Sequence, residues 1–362
     1  MQKNIIISTF LLLAFSCSTN NSERFSKAFP ETIKLTAEKV KINEVINPVL
    51  ILLLDDYLVV QNEYHFNMDC FFVYSLDTFD FLFSFGRLGQ GPGEYIAPRL
   101  VQNSQGNILS VFDQASRRID NFQITDTKPI LLNEMRIKDA RREPFQELSW
   151  LNDSIIILLS HDYALLSYNI NKNQFIDTLR FNTDIRSKLG AGHTSFLESF
   201  HFGNYNNQIV VGHNFIDKLS IGSIYNGKFT FNNKNLTSVN VSSTVLNNRV
   251  HYLFVAGTSN YIFAQYYGLP FRQMQPFPVN IGRRNLNFYI EVYDWNLSPV
   301  ALLKFDNAML RFAVDEKRKK ILTWNPLEDF DYLLVYRYNF QALYADIERN
   351  NIFELNAKYS KQ

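Results

Sequence analysis

Two cysteines in 362 residues exclude a fold stapled by disulfides. The formal net charge is +1, so there is no basic excess to hold nucleic acid and no acidic excess to keep the chain unfolded. Glycine (14) and proline (11) are sparse, and no Pro/Gly/Ser-rich linker divides the chain into tandem domains. No apolar run approaches the roughly 20 residues that a spanning helix needs. Chemical motifs are also scarce. There is no GxSxG nucleophile elbow and no Gly-Lys-Ser/Thr phosphate loop. The six histidines (His65, His161, His193, His201, His213 and His251) include no pair at a compact metal-ligand spacing.

What is abundant is apolar and aromatic. Hydrophobic residues make up 46% and aromatics 15%, with 32 Phe and 19 Tyr. Such residues fit a pleated, half-buried surface, so the composition favours sheet with a large core. The N-terminus is of a different kind. Lys3 precedes the apolar stretch Ile5–Phe15, which has the length of a signal-peptide core and falls short of a membrane span. It runs into Ala14-Phe15-Ser16-Cys17, which resembles a bacterial lipoprotein signal, although Leu is usual where Ala14 stands. The resemblance implies a lipidated Cys17 and a membrane partner held through that lipid. We therefore expect a signal peptide over 1–17, a flexible tether over 18–31 and the folded unit over 32–362. Cys70 then has no partner, and its setting, Cys70-Phe71-Phe72-Val73, suits a buried thiol acting as a small hydrophobe.

The folded unit repeats. Six times a short apolar run meets a tight polar turn and a second strand-like run. The turns are Asp55-Asp56, Gln105-Gly106, Asn152-Asp153, Asn206-Asn207, Ser259-Asn260 and Glu316-Lys317, at spacings of 50, 47, 54, 53 and 57 residues. A period near 50 with four strands per unit marks a propeller. The expected fold is all-β, a six-bladed β-propeller of four-stranded antiparallel blades. Tyr225-Asn226-Gly227-Lys228 should be a two-residue hairpin, since Asn-Gly tolerates the two positive φ angles required. Unit six lacks a clean fourth strand. Thr32–Val40, which alternates and belongs to no unit, should supply it and close the ring; Ile352–Leu355 is the rival. Local helix is plausible around 137–142 and 183–189.

One segment stands apart: Phe85-Gly86-Arg87-Leu88-Gly89-Gln90-Gly91-Pro92-Gly93-Glu94-Tyr95. Together with Pro98 and the run NILSVFDQASRRIDNF (107–122), it resembles the TolB-like six-bladed propeller lipoproteins of Bacteroides-type bacteria. The resemblance implies the fold and an envelope location, periplasmic or outer-membrane associated. It implies no reaction. On the strand map the glycine loop joins the outer strand of blade one to the inner strand of blade two, on a propeller face where ligands usually bind. Arg87, Gln90, Glu94 and Arg117 are the candidate binding residues; Arg87 and Glu94 could pair, or could read a polar ligand. The competing reading is a rigid connector.

No catalytic residue, cofactor or metal site is assigned. His193, His201 and His213, with Glu198 among them, are the one weak metal candidate. Asp113, Asp294 and Asp315 lie near strand ends, where most Asp residues serve turns. The expected function is a non-enzymatic envelope protein that binds a glycan, a peptide or another envelope protein, with no nucleic acid. The alternative is a carbohydrate-active enzyme, a lyase or glycoside hydrolase, working at the channel mouth. Two or more ionisable side chains converging in a deep channel pocket with strongly shifted pKa values would favour that alternative.

Overall fold

The computed structural model describes residues 29–340, except 46, 64–67, 103–105, 139–144, 184, 186–196, 233–234, 237–241, 243, 275–287, 310, 327 and 329. The signal segment, Cys17, the tether to residue 28, His65, His193 and the rival closing strand at 352–355 lie outside the described residues.

The second strand of each unit shows why the chain makes a ring. Tyr57–Asn62, Ile155–Ser160 and Lys320–Trp324 are buried along their whole length. Alternate side chains of a strand point to opposite faces, so a strand apolar at every position needs cover on both sides. The neighbouring blades supply it. Leu58 and Val60 pack with Leu322, Trp324, Leu333 and Val335 of blade six, whereas Tyr57 and Val59 pack with Leu109, Val111 and Ile124 of blade two. Ile156 and Leu158 likewise face blade two, and Ile155, Ile157 and Leu159 face blade four. The core is thus six apolar wedges, one at each junction between blades.

Six sheets result. Blade one is Pro48–Leu53, Tyr57–Asn62, Asp69–Ser75 and Phe81–Arg87; blade two is Pro98–Gln102, Ile108–Asp113, Arg118–Ile124 and Pro129–Arg136. Blade three is Phe145–Asn152, Ile155–Ser160, Leu165–Asn169 and Gln174–Leu179; blade four is Phe200–Tyr205, Gln208–His213, Leu219–Tyr225 and Lys228–Phe231. Blade five is Arg249–Gly257, Tyr261–Pro270, Phe288–Asp294 and Pro299–Phe305; blade six begins with Phe312–Asp315, Lys320–Trp324 and Tyr332–Arg337. The hairpin at Asn226-Gly227 forms, with φ of 50° and 78° and Tyr225 paired to Lys228.

The N-terminal segment closes the ring, in two pieces. Glu38–Lys41 lies antiparallel to Tyr332–Arg337 as the fourth strand of blade six. Thr32–Leu35 adds a fifth strand to blade five, parallel to Pro299–Phe305. One segment therefore spans the outer edges of two adjacent blades. The local-helix expectation meets two outcomes: Ile137 and Lys138 carry no helix and Thr183 pairs with Leu236 in a two-residue bridge of strands, whereas Ile185 is helical. The remaining positions of those two stretches are outside the described residues.

Candidate functional site

The glycine loop is held from within. The Glu94 carboxylate accepts the Gly91 N–H at 2.8 Å, and the Gly89 and Tyr95 amides bond the carbonyls of Tyr95 and Arg87. A Cβ at Gly89 would overlap that carboxylate, and Gly93 sits at φ +79°. Behind the loop the Arg118 guanidinium lies 4.8 Å from the Tyr95 ring, donates to the Glu94 carbonyl at 2.8 Å and pairs with Asp120 at 3.1 Å.

The four candidate residues do not converge. Arg87 is 73% exposed and reaches Asp69 at 3.6 Å. Of the readings left open for Arg87 and Glu94, Glu94 follows that of the rigid connector: its carboxylate is turned onto the loop amide of Gly91. Gln90 is exposed and makes no hydrogen bond among the described residues. Arg117 points the other way, its guanidinium 5.5 Å from the Phe145 ring at the start of blade three.

The weak metal candidate does not assemble from its described members. His201 bonds Glu147, His213 is buried against the Ser220 hydroxyl at 3.1 Å, and Glu198 accepts from Thr183. Asp294 and Asp315 serve turns, accepting the backbone N–H groups of Asn296 and Arg318, and Asp113 accepts the Ser116 hydroxyl of its own turn and the Ala97 N–H ahead of the neighbouring strand. Cys70 is buried, and burial, with Asp69 adding to it, pushes its thiol up to about 11.

The central channel is a concave space of about 580 Å³, walled by the inner strands of all six blades. Near the end where these strands begin, the ionisable side chains of Arg99, Glu147 and Arg311 line the bore at one level, and His201 joins them through its contact with Glu147. Leu50 and Phe254 complete that level. His201 Nδ1 lies 3.0 Å from Glu147 Oε1, and Arg311 approaches the same oxygen at 3.6 Å. The Arg311 guanidinium also rests 5.5 Å from the Phe254 ring. The Arg99 side chain makes no hydrogen bond or ion pair among the described residues, yet it acts on both Glu147 and Arg311 through space.

Burial alone would raise the Glu147 carboxyl. The His201 imidazole and the Arg311 and Arg99 guanidiniums outweigh it and hold the group at about 2. Burial lowers Arg311, Glu147 opposes this, and the like charge of Arg99 lowers it further. A guanidinium stays protonated throughout the working range. Ionisable groups therefore do converge in a deep channel with shifted pKa values. Their shifts leave both as fixed charges at neutral pH, which suits binding an ion better than passing a proton.

Three glutamines on second strands or just beyond them set this level. Gln61 donates to the Pro98 carbonyl and accepts the Leu100 N–H, bracketing Arg99. Gln114 donates to the carbonyls of Phe145 and Gln146, next to Glu147. Gln265 donates to the Met309 carbonyl, close before Arg311. Deeper in the channel the inner strands present small residues, Ser149, Gly203, Ala256 and Ala313, which keep the bore open.

The sequence reading missed Arg99, Glu147 and Arg311, and named His201 only within the metal candidate. A signal was present: Leu50, Glu147, His201, Phe254 and Arg311 each stand five residues before their unit's first turn, and Arg99 stands six before. Laying the six units over one another at that turn collects the channel level in one column.

Among the described residues no helix is long and apolar enough to cross a membrane. No curated protein matches the sequence. Two solved structures share the fold. An exported protein from Bacteroides fragilis aligns with TM-score 0.54 at 14% identity, over 86% of this chain and 99% of its own. A member of the DUF4221 family from Bacteroides vulgatus aligns with TM-score 0.50 at 13% identity, over 84% of this chain and 98% of its own. The family model described as TolB-like 6-blade propeller-like matches residues 25–317. With that match, the six sheets and the ring closed by the N-terminal segment, the chain belongs to the TolB-like six-blade propeller family.

Proposed function

We propose that this chain is an exported envelope lipoprotein, anchored through Cys17, that binds a small ligand in its central channel without transforming it. The observation that carries the reading is the level of Arg99, Glu147 and Arg311, drawn from three blades and lining an open bore, with His201 of a fourth blade bonded to Glu147. Ligand sites are typically cavities of about 300–1,000 Å³ with a few convergent polar groups on apolar walls. The signal-like segment through Cys17 and the likeness to an exported Bacteroides fragilis protein support export. A glycan fragment, a peptide end or a loop of an envelope protein is the kind of ligand that would fit.

Two measurements test this. A glycan and peptide binding screen on the full chain should yield ligands that are lost when Ala313→Trp fills the bore. Ligands that still bind the folded Ala313→Trp protein would place the site elsewhere. Cys17→Ser should abolish incorporation of a labelled fatty acid and release the protein from membranes; unchanged membrane attachment would remove the anchor.

The alternative, a carbohydrate-active enzyme, has two observations in its favour: ionisable groups with shifted pKa values converge in the channel, and the His201–Glu147 pair resembles an imidazole oriented by a carboxylate. Glycoside hydrolysis needs two carboxyl groups about 5–9.5 Å apart. The other carboxylates of the bore, Asp55, Asp315 and Glu316, lie at the opposite end of the inner strands, and Asp315 is tied to Arg318 at 3.2 Å. We expect no new reducing ends and no unsaturated products from acidic or neutral oligosaccharides.

A further inference from the structure

The channel level holds more cationic donors than its own anion uses. Arg99, Arg311 and Glu147 line the same channel, the guanidiniums carrying two positive charges and the carboxylate one negative charge. Each guanidinium has five N–H donors in a fixed fork that fits a carboxylate. Arg311 spends one of these, its side-chain Nη2, on a long 3.6 Å contact with Glu147, and Arg99 spends none on a hydrogen bond. Two like charges brought together repel each other unless an anion lies between them. Gln61 clamps the backbone on both sides of Arg99, and Arg311 rests on Phe254 with its side chain 31% exposed.

Building on the channel reading, we propose that the ligand is a small organic monocarboxylate whose carboxylate is held by Arg99 and Arg311. Of Arg99, Arg311 and Glu147, one guanidinium charge is left without an anion, and the planar guanidinium fork fits a carboxylate. The rest of the ligand faces Leu50 and Phe254 at the same level and the small side chains Ser149, Gly203, Ala256 and Ala313 beyond, where there is room for one or two sugar rings or a short peptide end. Glu147, fixed by His201 at 3.0 Å, keeps the two arginines apart and screens them from each other when the ligand leaves.

The test is a calorimetric titration of the full chain with four probes. Glucuronic acid and N-acetylalanine are carboxylates from the two sources, glucose is the neutral match of the first, and inorganic phosphate is the other anion. At least one carboxylate should bind about tenfold or more tighter than glucose and tighter than phosphate. Which carboxylate binds tells a sugar-acid source from a peptide-end source. Arg99→Gln should weaken carboxylate binding about tenfold or more, and Arg99→Lys should weaken it less. Glu147→Gln should move the other way, tightening carboxylate binding severalfold by removing the competing anion, an effect that loss of structure would not produce. Binding of glucose equal to that of glucuronic acid, unchanged binding in Arg99→Gln, weaker binding in a folded Glu147→Gln, or no binding of either carboxylate would overturn the assignment. The channel reading is decided separately, by the screen against Ala313→Trp.

Discussion

His213 shows how far burial can move one side chain. Its ring sits between the edges of Phe181 and Phe200, with centroids 4.8 and 5.8 Å away, and Nε2 meets the Ser220 hydroxyl. Burial, helped by Lys218, brings its pKa from 6.5 down to about 3. The folded state therefore holds this imidazole neutral where the unfolded chain would protonate it. The stabilising contribution is complete above pH 6.5 and is lost as pH falls toward 3. Over that window one proton is taken up on unfolding, a slope of about 1.4 kcal/mol per pH unit. We expect denaturant unfolding of His213→Gln to show a shallower acid limb by up to that slope; parallel curves for the two proteins would show that His213 is not held neutral.

At the scale of elements, the glycine loop carries its own prediction. Its order depends on the inward Glu94 carboxylate, whereas Arg87 at its base is exposed with a long contact to Asp69. Glu94→Ala should cost about 1–2 kcal/mol of stability in urea unfolding, and Arg87→Ala less than about 0.5 kcal/mol. Equal effects would mean that the loop is not held as described. Much of this scale was legible in the sequence. Six strand pairs could be read from apolar runs meeting polar turns, and Asn226-Gly227 announced its own geometry, because turn chemistry and period-two patterning are local. The inward turn of Glu94 was not legible. Arg87 and Glu94 are close in sequence and opposite in charge, and only the folded loop shows a backbone amide nearer to the carboxylate. Thr32–Val40 was legible as a closing segment, but its split between blades five and six depends on two sheet edges far away in sequence.

For the whole molecule, the ring follows from strands that need cover on both faces. Each wedge of core belongs to two blades, so no blade is complete alone. The same closure creates a bore whose wall takes one strand from every unit. This is why the channel site escaped a reading along the chain. Arg99, Glu147, His201 and Arg311 are separated by about fifty residues or more, and none sits in a motif. Their common position within the repeat was present but carries meaning only once the six units are known to face one axis. The most direct measurement is a crystal structure of the full chain soaked with the carboxylate that binds. We expect its carboxylate between the guanidiniums of Arg99 and Arg311, inside the bore. Ligand bound only outside the channel, on the glycine loop or a blade edge, would contradict the account.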